Sequence, residues 1–155
     1  MPLMGHLPKN LGLDIQTKRV MRWYSRICEL DRGERHGTSH EMDADEFLVF
    51  FIFCYHLKDW VIKETNIPKR EIENFINRTQ SLNICADIAN GTKHFGLTRD
   101  PRSGEDFRLR AYATVNGDKV GVGLLITLED ETQIKAIDLA KDCIKNWDAF
   151  LSSKF

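Results

Sequence analysis

Asp87, Asn90 and His94 stand at i, i+3 and i+7 in Cys85-Ala-Asp-Ile-Ala-Asn-Gly-Thr-Lys-His-Phe95, a stretch whose apolar residues recur at helical spacing. If the helix runs through Gly91, a carboxylate, an amide and an imidazole form one column, with Lys93 one residue round the cylinder. Near neutral pH an imidazole can act as general base, general acid or phosphate ligand. A neighbouring lysine supplies positive charge for an anionic substrate. Asn90 and Asp87 are spaced to orient His94 or a substrate hydroxyl. The plainer alternative is a helix end: Asn90 and Gly91 both tolerate the left-handed cap, and Lys93 and His94 would complement the last carbonyls.

A second polar cluster lies at Tyr55-His56-Leu57-Lys58-Asp59-Trp60. His56 and Asp59 are three apart, so they lie close on one helix surface. A carboxylate beside an imidazole fixes its tautomer and prepares it for acid–base work; a satisfied polar pair at the edge of the core is the alternative. Arg99 and Arg102, with Arg108 and Arg110 further on, read as a local anion-binding rim beside His94 or, more blandly, as a solvated loop. The candidate catalytic set is therefore His94, Lys93, Asn90, His56 and Asp59, with Asp87, Arg99 and Arg102 as substrate-binding residues.

No metal and no cofactor is expected. His36, His40 and His94 could be grouped with Asp43 or Asp87, but none has the tight spacing of a ligand pair. There is no phosphate-binding glycine loop, dinucleotide fingerprint or nucleophile elbow. Cys28, Cys54, Cys85 and Cys143 are far apart and fall in helical stretches, so they read as reduced, buried, structural thiols of a cytoplasmic protein.

The elements that must position these groups follow from periodicity and punctuation. The 155 residues fit one domain, with 42% hydrophobic and 29% charged residues as in an ordinary globular protein. A formal charge of −1 gives no global attraction to nucleic acid or an anionic membrane. The longest apolar run, Phe47 to Tyr55, has nine residues and is too short to span a bilayer. No signal peptide is expected. Residues 1–12 read as a flexible arm and residues 13–155 as a single domain.

Within it, Ile15, Val20, Trp23, Tyr24, Ile27 and Leu30 predict a helix ending near Gly33. Asp43-Ala-Asp-Glu46 opens a second, apolar nearly all round in its first half and so the most buried. Asn66 caps a short third helix with Pro68 early in it. A fourth runs from about Thr79 to His94, followed by a polar loop over 98–106. The period then changes to two: a β-hairpin over about 107–127 turns at Asn116-Gly117. Glu131 to about Ser152 predicts the last helix. The expected fold is mainly α, an up-and-down bundle of about five helices with a β-hairpin inserted before the C-terminal helix. An isolated hairpin is marginal, so its apolar face must lie on the bundle or its edge must pair with another chain.

The pairing of a helix ending Tyr-His-Leu-Lys-Asp-Trp (55–60) with a later one ending Asp-Ile-Ala-Asn-Gly-Thr-Lys-His (87–94) resembles HEPN-like helical bundle proteins of prokaryotes, over about residues 14–95 and the final helix. The resemblance implies a metal-independent RNA endonuclease of a toxin or phage-defence type, working as a homodimer, or a non-catalytic nucleotide-binding or protein-interaction module with a partner protein. Active members carry an arginine and a histidine with four to six residues between them. Here His94 matches the histidine, the arginine's place is held by Asp87, Ile88 or Ala89, and no arginine lies between Arg78 and His94. The local form is Asn90-Gly-Thr-Lys-His94, with Lys93 as its cation.

Overall fold

The structure, a computed structural model, describes residues 12–35, 39–94 and 107–155, with the backbone only at residues 40 and 92–94. The expected arm over 1–12 and the loop over 98–106 fall almost wholly outside the described residues. Five helices and three strands follow one another as α1 (Gly12–Asp31), α2 (His40–Glu64), α3 (Lys69–Asn77), α4 (Gln80–His94), β1 (Phe107–Asn116), β2 (Lys119–Leu128), β3 (Gln133–Lys135) and α5 (Ala136–Ser152). The fold is mainly helical, with an antiparallel sheet ahead of the last helix. Among the described residues, no helix is long and apolar enough to cross a membrane.

The 25-residue α2 is the central element. Phe47, Phe50, Phe51, Cys54, Leu57 and Val61 recur at three- and four-residue spacing and are fully buried, as its apolar composition requires. On α1, Leu13, Val20 and Ile27 repeat every seven residues and press on α2 together with Leu30. Gln16 is also buried there, and its amide donates to the Phe53 carbonyl at 2.8 Å, so the polar group does not go unmet. Arg26 of α1 reaches Glu46 of α2 at 3.0 Å. On the far side α5 supplies Leu139, Ala140, Cys143, Ile144, Trp147 and Leu151. Phe75 of α3 stacks on Phe150 at 4.1 Å and meets Trp147 edge-on at 5.2 Å, which ties the short helix to the last one.

Two helix starts differ from expectation. α2 opens at His40, one turn before Asp43, because the Ser39 hydroxyl accepts from the Met42 amide at 3.1 Å and caps it. We expect Ser39→Ala to cost about 1 kcal/mol of stability, read as a lower urea midpoint at unchanged slope. α3 is preceded not by an Asn66 cap but by Pro68, which makes no side-chain cap bond; its fixed φ of −59° orients the chain instead.

The hairpin forms, with Asn116 opposite Lys119, so the two turn residues are Gly117 and Asp118. The turn lies one residue later than Asn116-Gly117, because Gly117 at φ +65° takes the first central position of a glycine-first tight turn. The larger correction is β3. Gln133–Lys135 adds a third strand to β2, pairing Ile134 with Ile126, where the helical spacing of Ile134 and Ile137 suggested that α5 had already begun. A turn at 129–132 makes this possible: the Asp130 carboxylate accepts from the Thr132 amide at 2.9 Å, and Leu128 N donates to Thr132 O at 2.8 Å. The second side of β2 is thereby paired within the chain over Leu125, Ile126 and Thr127.

The sheet docks on the end of α1. Leu124, Ile126 and Leu128 of β2 join the core. Where β2 crosses the α1 terminus, Gly121 lies so close to the Leu30 and Asp31 carbonyls that a Cβ would collide with both. Its cross-strand neighbour Thr114 donates its hydroxyl to Asp31 O at 2.6 Å, meeting a carbonyl that the helix leaves without an internal partner.

Candidate functional site

α4 continues as regular helix through Gly91 to His94. The plain-cap reading of Asn90 and Gly91 is therefore not realised, and Asp87, Asn90 and His94 occupy one face of the helix backbone. Asn90 is half-buried, and Asp87 is only 1% exposed. The side chains of Lys93 and His94, like all of His36, Arg99 and Arg102, lie outside the described residues.

A groove of about 420 Å³ opens between α2 and α4. Its walls are Ile52, Tyr55, His56, Lys58 and Asp59 on one side and Ala89 and Asn90 on the other. The 55–60 run and the middle of the 87–94 run thus line one groove, but 55–60 is not a helix end as expected, because α2 continues one more turn to Glu64. Asp87, one turn back from Asn90, does not line the groove.

Within the groove the charges are arranged differently from expectation. His56 and Asp59 are both exposed, and among the described residues no hydrogen bond or ion pair joins them. Residues three apart on a helix can meet only when both side chains lean together, and here the two side chains are exposed and do not. Lys58 is the organised group. Its ammonium donates to the Tyr55 hydroxyl at 2.9 Å and to Glu73 of α3 at 3.3 Å, and it sits 4.6 Å from the centre of the Tyr55 ring. With its side chain 14% exposed, Lys58 is a fixed cation at the groove wall. The basic rim is partly spent: Arg108 is held by both oxygens of Glu131, at 2.8 and 2.9 Å, on the exposed sheet, while Arg110 is exposed.

A second constellation had no signal in the spacing. Cys54 of α2, Cys85 of α4 and Cys143 of α5 bring their sulfurs within 4.8 Å of one another in the middle of the core, all fully buried. The Cys85 thiol donates to Phe51 O and the Cys143 thiol to Ser81 O, each at 3.4 Å. The three thiols do not titrate alike. The adjacent thiols of Cys143 and then Cys85 pull Cys54 down against the cost of burial, whereas burial pushes Cys85 and Cys143 well up. Trp147 Nε1 is buried nearby without a hydrogen-bond partner of ordinary geometry. Cys28, in α1, stands apart and is half-exposed.

Compared with family models, with curated proteins and with solved structures, the chain matches none of them. Its own residues must carry the functional reading.

Proposed function

We propose that the chain is a HEPN-like, up-and-down helical protein that binds RNA in the groove between α2 and α4 and cleaves it without a metal ion, as a cytoplasmic homodimer of a toxin or phage-defence type. The observation that supports this reading is the groove itself, about 420 Å³, which His56, Lys58 and Asp59 line together with Asn90. In this reading His94, one turn beyond Asn90, takes the proton from a ribose 2′-hydroxyl, and the oxygen attacks the adjacent phosphorus. The 5′-oxygen leaves with a proton from His56, giving a cyclic phosphate and a 5′-hydroxyl. Lys93 and Lys58 offset the charge that builds on the phosphate, and the Asn90 amide positions it.

A second reading, a non-catalytic nucleotide-binding or protein-interaction module, is favoured by one observation: Glu73 already holds Lys58, in a site whose sequence lacks the motif arginine. Incubation of pure protein with varied RNAs in EDTA separates the two. Cleavage to cyclic-phosphate ends, slowed at least 100-fold in a folded His94→Ala variant, supports the nuclease. Binding without cleavage, weakened by His94→Ala, supports the module. Wild-type protein that neither binds nor cleaves sinks both.

A further inference from the structure

We propose that Cys54, Cys85 and Cys143 form a three-thiolate site for one trivalent thiophilic ion of the arsenite class. Three helices distant in sequence each deliver one sulfur to the same point, with every pair of sulfurs within 4.8 Å. An equilateral triangle with that edge has its centre about 2.8 Å from each corner; a pyramidal trivalent centre with ~2.3 Å bonds holds its sulfurs about 3.5 Å apart, so each sulfur moves inward by at most about 0.8 Å to bind it. The two carbonyls that now accept from Cys85 and Cys143 keep these thiols neutral and aimed while no ion is bound.

Charge selects the ion. The site is fully buried among apolar side chains, where an uncompensated charge is strongly disfavoured. Three thiolates around a monovalent copper leave two negative charges, and around a divalent zinc they leave one. Zinc also seeks a fourth ligand, and among the described residues the cluster offers three. A trivalent centre leaves no net charge. Arsenous acid itself is neutral and exchanges without redox: three As–O and three S–H bonds break, three As–S and three O–H bonds form, and three waters leave. The three thiols close the ring of ligands in turn as each water departs. Because the ligands come from α2, α4 and α5, binding clamps three helices together and must raise the folded state's stability.

The experiment uses the reduced full chain, freed of small thiols and titrated with sodium arsenite. The expected result is one arsenic per chain by native mass spectrometry, at a mass gain of one arsenic less three hydrogens, with a higher thermal midpoint. Alkylation in denaturant followed by peptide mapping should find Cys28 modified and the other three protected. Cys28→Ser should bind as the wild type does, whereas Cys54→Ser, Cys85→Ser and Cys143→Ser should each weaken binding at least tenfold. Mapping on the wild-type chain decides the matter where a serine variant fails to fold. Protection that includes Cys28, uptake only after urea unfolding, or uptake of zinc(II) or copper(I) through these sulfurs in preference to arsenite would each overturn the proposal.

Discussion

Trp147→Ala is expected to lower the unfolding free energy by about 3–5 kcal/mol, the cost of deleting a large aromatic ring from a closed core. The site leaves little room for collapse. Trp147 is fully enclosed, edge-on to Phe75 at 5.2 Å and to Phe150 at 6.2 Å, and those two rings are themselves stacked. Removing it opens a cavity bounded by rigid aromatic faces from α3 and α5 beside the cysteine cluster. Against a typical total of about 5–15 kcal/mol, such a loss leaves a chain that is partly unfolded in dilute buffer. Trp147→Phe should cost less than half as much, since it keeps an aromatic edge on Phe75 and removes an indole N–H that has no acceptor. Urea titrations followed by circular dichroism check both variants; a change under 1 kcal/mol for the alanine would mean that α5 does not seal the core as described.

Gly121→Ala is expected to cost about 2–3 kcal/mol, unusually much for the addition of one methyl group. The new Cβ would collide with the carbonyls of Leu30 and Asp31 and with the Thr114 hydroxyl. Backbone at a helix end cannot rotate aside as a flexible side chain can, so β2 must lift away from α1. The 2.6 Å bond from Thr114 to Asp31 O then goes with it. Gly117→Ala at the hairpin tip is the internal comparison. Nothing stands within 4 Å of its Cβ, but its φ is +65°, so the cost is the conformational one alone, about 1–2 kcal/mol. Amide exchange across β1 and β2 should quicken far more in Gly121→Ala than in Gly117→Ala. Equal exchange in the two would refute the close approach to α1.

These two variants also mark where the sequence was readable. The buried centre of α2 was legible because Phe47, Phe50, Phe51 and Leu57 leave hardly any polar side to the helix, and the hairpin because its period-two strands flank a glycine turn. The helix to His94 was expected from the apolar stripe of Leu82, Ile84, Cys85, Ile88 and Ala89, with an end at Asn90 and Gly91 left open as the alternative. β3 was not: three residues with one isoleucine fit either period, and only pairing with Ile126 decides for a strand. His56 and Asp59, singled out by type and spacing, both line the groove, but among the described residues no bond joins them, because spacing alone does not set the direction of an exposed side chain. Lys58 was passed over because its anchor, Glu73, belongs to another helix. The cysteine triad lay beyond reach for the same reason. Separations of 31 and 58 residues carry no local pattern, and only the packing of α2, α4 and α5 creates the cluster.

The place of α5 in the core has a consequence for biosynthesis. Trp147, Phe150 and Leu151 cover apolar surface presented by helices made much earlier. A nascent chain halted before Trp147 would therefore carry α2 with one flank bare, and it would need shielding until the last turn of α5 emerged. Ribosome-stalled chains in which that turn is still inside the exit tunnel, and chains in which it has emerged, should differ sharply in their resistance to protease.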